Sequence, residues 1–269
     1  MGNVTRDLCD DSERPGGTAV YAAAMAVRLG FETRLLTAAA PADVPAIAGV
    51  TTHVVASPRT TTFRLDRDGH SRRMWLVDQA RALEPDDIPP AWRSSDVWHL
   101  APVFHELDAR MPAAIPPSAF VGLTPQGLLR KAGTKGEVVP APAVEEQRLA
   151  ERAQAIVISD EDIPDAWATA QAWADAGAVV VVTEGRHGSD LFAHGRRTRV
   201  DPFPARVVDD TGAGDVYATA LFGELYRGVV PEQAVRFASA AASLATTGDT
   251  LQALPSRAEI EHRLAAGSS

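Results

Sequence analysis

The most informative stretch of the chain reads Val207-Val208-Asp209-Asp210-Thr211-Gly212-Ala213-Gly214-Asp215-Val216-Tyr217-Ala218, where an apolar run meets a Gly-rich turn and an Ala-rich helix. Amides in the first turn of a helix have no partner within the helix, and the helix dipole adds positive potential there. Gly212 and Gly214 lack a Cβ, so an anion can approach the backbone closely. The pattern predicts a strand that runs into an anion-binding turn at the start of a helix.

Asp215 places a carboxylate in the same turn, next to the predicted anion. Two adjacent negative groups make poor structural sense unless one activates a nucleophile that is aimed at the other. A phosphotransferase needs this arrangement, with amides that neutralise the moving phosphoryl group and a base that accepts a hydroxyl proton. The alternative is a Gly-rich helix start in which Asp215 only complements the helix dipole. This stretch alone leaves both interpretations open.

Two other nucleotide-binding patterns are disfavoured. The chain has no Gly-x-x-x-x-Gly-Lys-Ser/Thr loop, which excludes a Walker-type phosphate site. The turn at Gly212 also lacks the third glycine of a dinucleotide fingerprint and lies late in the chain, which weakens a dehydrogenase interpretation.

The composition is that of an ordinary globular protein, with 269 residues, 45% hydrophobic and 23% charged. A formal net charge of −9 argues against broad binding to nucleic acid, although local dipoles can still hold a nucleotide. A single cysteine, Cys9, excludes an internal disulfide framework and a multi-cysteine zinc site. No apolar run is long enough to span a bilayer, and the first residues show no signal peptide. We therefore expect a cytoplasmic protein with no nucleic-acid or membrane partner.

Short β-type runs alternate with helical stretches along the chain. This alternation predicts a doubly wound α/β fold, with a mostly parallel central sheet covered by helices on both faces, in one domain over residues 1–269. The predicted strands are Thr33–Thr37, Val97–Leu100, Phe120–Leu123, Ala155–Ile158 and Val179–Thr183. The predicted helices are Thr18–Leu29, Glu106–Met111, Ala143–Gln154, Asp165–Ala176, Gly212–Arg227, Pro231–Thr246 and Ser256–Leu264.

Residues 58–78 interrupt the alternation. Two β-type runs, Thr60–Leu65 and His70–Val77, flank the turn signal Asp68-Gly69. We predict a β-hairpin inserted in the α/β fold, which serves as a lid or as a contact in a homodimer. A decorative surface hairpin is the alternative.

A second Gly-rich signature lies near the start of the chain, Pro15-Gly16-Gly17-Thr18-Ala19-Val20-Tyr21-Ala22-Ala23-Ala24, and it closes with Arg28-Leu29-Gly30. Together with Asp210–Asp215 it resembles the paired signatures of the ribokinase-like (PfkB-type) carbohydrate kinases, in the same order. Gly2–Asp7 resembles the end of that family's first strand. Gln126–Arg130 resembles a segment of short members such as the myo-inositol-kinase-like branch. The resemblance covers nearly the whole chain and implies the ribokinase-like fold.

The resemblance also implies roles for individual residues. Asp215 takes the place of the catalytic base. The residues implied to form the anion hole are Thr211, Gly212, Ala213 and Gly214. Those implied to contact the acceptor are Asp7, Gly16, Gly17 and Tyr21. Those implied to lie beside the nucleotide are Ser159, Thr183, Gly185 and Gly188. A tight hairpin turn after Thr183 is the competing interpretation for Arg186 and His187.

Two further assignments have plain alternatives. Arg130 is a candidate phosphate contact, or else a solvated loop arginine. The family often carries Asn-x-x-Glu near magnesium-bound water, where this chain has Ser159-Asp160-Glu161-Asp162. Asp162 is therefore the metal candidate, because carboxylates suit a hard cation. The alternative is a helix N-cap ahead of Pro164.

The resemblance leads to one functional hypothesis, which is ATP-dependent phosphorylation of a hydroxyl on a small polyol, a sugar or a cyclitol, with Mg²⁺ as the cation. A nucleoside kinase of the same fold is one alternative. A non-catalytic ligand-binding or regulatory relative is another, motivated by the altered Ser159–Asp162 segment. The chain begins almost inside its predicted first strand. Two explanations are open: this strand is truncated, or the start of this sequence differs from the natural one. A shortened strand is expected to weaken the sheet there.

Overall fold

The structure, a computed structural model, describes residues 1–9, 12–68, 71–141, 144–248 and 251–267. The strands are β1 (Thr5–Cys9), β2 (Ser12–Gly16), β3 (Thr33–Ala39), β4 (Val50–Ala56), β5 (Thr61–Asp68), β6 (Ser71–Asp78), β7 (Val97–Leu100), β8 (Phe120–Leu123), β9 (Arg130–Ala132), β10 (Val138–Pro140), β11 (Ala155–Ser159), β12 (Val179–Thr183), β13 (Ser189–Ala193) and β14 (Arg196–Val200). The helices are α1 (Thr18–Arg28), α2 (Met111–Ala114), α3 (Val144–Arg152), α4 (Ala166–Asp175), α5 (Ala213–Tyr226), α6 (Pro231–Ala245) and α7 (Arg257–Ala266).

The central sheet has the order β14-β13-β12-β11-β8-β7. The strands β7, β8, β11 and β12 run parallel, and β13 and β14 run antiparallel to their neighbours. In β12 the side chains of Val180 and Val182 enter the buried cluster that includes α3 and α4, whereas Val181 enters the cluster that includes α5 and α6. A strand that is apolar on both faces is typical of a sheet covered by helices on both sides. The expectation of a doubly wound α/β fold is confirmed.

The sheet has a gap between β3 and β7. The strand β3 pairs with β4 in a separate sheet, and the first residues of the chain lie between β3 and β7. The amino group of Met1 donates to the carbonyl of His99 at 2.7 Å, and the N–H of Gly2 donates to the carbonyl of Leu36 at 3.1 Å. Two cavities of about 130 and 370 Å³ open between the strands next to Met1, and both are lined by Arg34 and His99. We call this gap the β3/β7 slot.

Residues 58–78 form the predicted hairpin, since β5 and β6 pair antiparallel, although Gly69 and His70 of its turn lie outside the described residues. The hairpin is half of a four-stranded sheet of order β2-β1-β5-β6, which we call the side sheet. The strand β1, which contains Asp7, pairs with β2 and β5 in this sheet. The outer edge of β6 is bonded to the same chain, because the N–H of Leu76 donates to the carbonyl of Gly136 at 2.8 Å. A dimer contact through the hairpin stays a prediction.

Two local predictions of secondary structure were wrong. Glu106–Met111 is not a helix, because the carboxylate of Glu106 is buried and accepts the backbone N–H groups of Asn3, Val103 and Phe104. These bonds hold the chain in a turn, and α2 begins only at Met111. Val207 and Val208 do not form a strand, since both are more than half exposed and lie outside any sheet. Among the described residues, no helix combines the length and apolar character that crossing a membrane requires.

Candidate active site

The Gly-rich turn precedes α5 as the sequence predicts. Gly212 has a φ of 76° and occupies the position before the first residue of α5, a conformation that glycine adopts without a Cβ penalty. The N–H of Thr211 donates to Oδ1 of Asp209 at 2.9 Å, which fixes the turn from its own chain. Asp215 lies in the first turn of α5. The carboxylate is therefore held at the positive end of a helix, beside backbone amides.

The acceptor residues implied by the resemblance come together on β1 and β2. Asp7 lies in β1, and its Oδ1 accepts the hydroxyl of Thr5 at 2.8 Å. A Cβ on Gly16 would lie 2.3 Å from Oδ2 of Asp7, so only glycine lets β2 approach this carboxylate. Gly17 has a φ of 94° and starts α1. These glycines pack the strand end tightly around Asp7.

Tyr21 joins the two signatures. A Cβ on Gly212 would lie 2.5 Å from the ring of Tyr21, so the ring rests directly on the Gly-rich turn. Burial raises the pKa of the Tyr21 phenol, and the charges of Asp215, Asp7 and Asp209 raise it further. Carboxylates from the Gly-rich turn at Gly212 and from β1 therefore act on one side chain. The structure brings the predicted acceptor residues and the predicted base into a single site.

A second group of predicted residues lies at the carboxyl ends of β11 and β12. Ser159 and Thr183 are register partners there. Gly185 and Gly188 follow β12 with φ values of 52° and 98°, and the chain turns back into β13. The hairpin interpretation of this turn is correct, and Arg186 and His187 are exposed. Carboxyl ends of parallel strands are where ligands bind in open α/β sheets.

This turn is tied to α5. The hydroxyls of Ser189 and Tyr217 form a hydrogen bond of 2.9 Å, and both residues are buried. Tyr217 lies in the same helix as Asp215, so the strand ends and the helix start are held in a fixed relation.

Arg130 and Asp162 belong to one network. The guanidinium of Arg130 donates to Oε1 of Gln126 at 3.3 Å, and the amide of Gln126 donates to Oδ1 of Asp162 at 3.1 Å. The other oxygen of Asp162 accepts the N–H of Ser159 at 2.8 Å. Arg130 also lies 5.4 Å above the ring of Phe63 in the side sheet. The network thus links the end of β11 to the side sheet.

The contacts of Asp162 give little support for direct metal ligation. Each of its oxygens already accepts a hydrogen bond, and burial raises the pKa of its carboxyl group. The described part of the chain contains no group of three or more His, Cys, Asp or Glu side chains that could hold a metal ion. The assignment of Asp162 to a metal stays a prediction.

The sequence interpretation missed Arg14. This residue lies in β2 opposite Asp7, and its guanidinium is 3.7 Å from the carboxylate of Asp209. One signal was available, because Arg14 lies two positions before Gly16 and so shares its face in an extended strand. Asp209, which Arg14 contacts, was likewise not predicted as a site residue.

Residues 141–257 match the model of the pfkB family carbohydrate kinases. An inositol 3-kinase of Oryza sativa subsp. japonica is 29% identical over 232 residues, which is 81% of this chain and 55% of that protein. A ribokinase of Bacillus subtilis (strain 168) is 38% identical over 88 residues, which is 32% of this chain and 30% of that protein. The chain thus aligns with about half or less of these curated relatives.

Solved structures show the same fold over nearly the whole chain. A pyrophosphate-dependent myo-inositol-1 kinase converted into a myo-inositol-3 kinase has a TM-score of 0.80 and 20% identity, covering 99% of this chain and 97% of that one. Ribokinase of Arabidopsis thaliana, complexed with ribose and ATP, has a TM-score of 0.73 and 19% identity, covering 97% and 96%. The fold is therefore the ribokinase-like one, and the C-terminal part of the chain is similar to the pfkB family of carbohydrate kinases.

Proposed function

We propose that this protein is an ATP-dependent phosphotransferase that phosphorylates a hydroxyl of a small polyol, a sugar or a cyclitol. Carbohydrate kinases of this family, such as inositol kinase and ribokinase, are phosphotransferases. One observation carries the proposal for this chain: the ring of Tyr21 rests on Gly212, and the charges of both Asp7 and Asp215 raise the pKa of its phenol. An acceptor bound at Asp7 and Gly16 then lies beside a carboxylate that faces the anion-binding turn.

In this mechanism Asp7 accepts hydrogen bonds from acceptor hydroxyls, and Thr5 orients Asp7 through its own hydroxyl. Asp215 takes the proton of the attacking hydroxyl as its oxygen bonds to the γ-phosphorus of ATP, while the bond from that phosphorus to the bridging oxygen breaks and ADP leaves. The amides of Thr211–Gly214 and the dipole of α5 stabilise the charge on the transferred phosphoryl group. The side sheet lies over the acceptor as a lid and excludes water. ATP lies across the ends of β11 and β12, beside Ser159, Thr183, Gly185 and Gly188, with Mg²⁺ as the cation that accompanies its phosphates.

A cyclitol is the first acceptor to test, because the inositol 3-kinase relative aligns with most of this chain. ADP release with ATP and Mg²⁺ should be measured against a panel of cyclitols, sugars and nucleosides. Saturable binding of a panel member without ADP release from any of them would favour a non-catalytic ligand-binding protein.

The role of Asp215 is tested by Asp215→Asn. We expect turnover to fall by about 10²- to 10⁴-fold while ATP binding, measured by calorimetry, is retained. Glu232→Gln is the matched control, since Glu232 is an acidic residue in the first turn of α6. If both variants keep wild-type turnover and lose a similar small amount of stability, Asp215 only complements the helix dipole.

A further inference from the structure

The side sheet carries a cation on the face that covers the site. Arg14, Asp7 and Phe63 are register partners in one row across β2, β1 and β5. Directly paired residues of neighbouring strands point to the same face of a sheet. Phe63 on this row is buried against Phe104, which marks the row as the underside of the side sheet. Arg14 therefore points toward the body of the protein rather than away from it.

Arg14 bridges the cleft between the side sheet and the Gly-rich turn. Its guanidinium lies 3.7 Å from Oδ2 of Asp209, whose other oxygen accepts the N–H of Thr211 at 2.9 Å. The side chain of Asp209 thus links the guanidinium of Arg14 to Thr211 of the predicted anion hole. The Arg14 side chain is 56% exposed, so it has room to change partner.

The charges around the turn require a cation there. Asp7, Asp209 and Asp215 all raise the pKa of Tyr21, whereas Arg14 lowers it. A phosphoryl group that enters this acidic neighbourhood is repelled unless a positive charge meets it. Guanidinium binds phosphate through two parallel hydrogen bonds, a geometry that an exposed carboxylate contact at 3.7 Å does not provide.

We propose that Arg14 leaves Asp209 when the donor binds and contacts the phosphoryl group that is transferred. Arg14 then stabilises the charge of the transition state and draws the side sheet down over the site only when a phosphate is present. This inference rests on the proposed function, because it names a further catalytic residue of the same site. Arg14 makes no covalent bond, and the proton of the acceptor hydroxyl still goes to Asp215.

The test compares Arg14→Gln and Arg14→Lys with Arg6→Gln. Arg6 is the matched control, since it lies in β1 next to Asp7, faces the opposite side of the strand and pairs with Glu13. We expect Arg14→Gln to lower kcat by about 10- to 10³-fold with the acceptor KM changed less than about threefold. Arg14→Lys should recover part of this loss, because lysine keeps the charge but not the bidentate geometry. Arg6→Gln should stay within about twofold of the wild type. An Arg14→Gln enzyme with wild-type kcat would overturn the proposal.

A second measurement separates phosphate binding from a purely structural link and does not need turnover. The dissociation constant of inorganic pyrophosphate is measured by calorimetry for the wild type, Arg14→Gln and Asp209→Asn. Asparagine keeps the oxygen that accepts the Thr211 N–H but removes the charge that competes for Arg14. We expect about tenfold weaker binding in Arg14→Gln and unchanged or tighter binding in Asp209→Asn. Equal weakening in both variants, or no change in Arg14→Gln, means that Arg14 only latches the sheet to the turn. If the wild type binds pyrophosphate through Arg14 but phosphorylates no acceptor, the proposed function fails and the assignment of Arg14 to phosphate stands.

Discussion

The two glycines of the anion-binding turn should respond to the same substitution in opposite ways. A Cβ on Gly212 would lie 2.5 Å from the ring of Tyr21, and the residue has a φ of 76°. A Cβ on Gly214 meets no atom within 4 Å. Gly212→Ala should therefore destabilise the fold, whereas Gly214→Ala should not.

The magnitudes follow from these two environments. The left-handed conformation costs an alanine about 1–2 kcal/mol, and overpacking against Tyr21 costs about 1–3 kcal/mol more. Gly212→Ala should thus lower the free energy of unfolding by about 2–5 kcal/mol. Gly214→Ala lies within α5 and should raise it by about 0.5–1 kcal/mol, because alanine loses less backbone entropy than glycine in a helix.

Turnover tests whether Gly212 and Gly214 also serve to bind the phosphoryl group. Both variants should lose most of their turnover, since we propose that the phosphoryl group approaches the backbone through the open space around Gly214. Urea unfolding gives the stability of each variant, and ADP release gives its turnover. A Gly212→Ala protein as stable as the wild type would refute the packing argument. A Gly214→Ala enzyme with full kcat would refute the placement of the anion.

The remaining predictions concern the β3/β7 slot and its neighbours. A four-residue extension of β-branched residues joined to Met1 should enter the slot and stabilise the fold by about 1–3 kcal/mol, seen as a higher Tm, whereas a Gly-Pro extension of equal length should not; identical Tm values for the two would contradict this. Burial lowers the pKa of His99 to about 3, so the unfolded chain takes up a proton below about pH 6.5 that the folded chain does not. The free energy of unfolding should therefore fall by about 1.4 kcal/mol per pH unit from about pH 6.5 toward pH 3, and His99→Phe should flatten this slope in urea titrations at several pH values. The Met1 amino group, whose pKa burial lowers to about 5, adds a loss of the same sign between about pH 8 and pH 5.

Much of the central sheet could be predicted because its signal is local. A strand such as Val179–Thr183, with four consecutive valines, has apolar side chains on both faces, as a central strand of an α/β sheet requires. The start of α5 after Gly212 is likewise indicated by its own glycine and alanine residues. These elements needed no knowledge of distant partners.

The hairpin of the side sheet could be predicted from its turn signal, but the rest of this sheet could not, because β1 and β2 are selected by pairing. The residues of β2 are mostly polar and exposed, so no hydrophobic period marks them as a strand. The chain direction of β1 gives no sign that it will pair parallel with β5. In the same way, the local sequence around Glu106 favours a helix. The structure differs because the carboxylate of Glu106 accepts the N–H of Asn3, which is remote in sequence.

The candidate site shows the same division. Asp215, Asp7 and the glycines stand in two recognisable signatures, so they could be named from the sequence. The contact of Arg14 with Asp209 joins two segments that are remote in sequence. Because neither residue type is unusual at its position, the sequence gives no sign of this contact. The register of β1 and β2 shows that Arg14, and not Arg6, shares the face of Asp7 that points into the cleft.

The hydrogen bond from Leu76 to Gly136 means that the side sheet is not a freely hinged flap. Any displacement of β6 pulls on the β9–β10 hairpin, and through Arg130 and Gln126 on Asp162 at the end of β11. The acceptor and the donor of the proposed reaction are then coupled ligands, and each must change the affinity of the other by the same factor. For the proposed phosphotransferase we therefore expect little transfer of phosphate to water, because binding of the acceptor would strengthen binding of the donor.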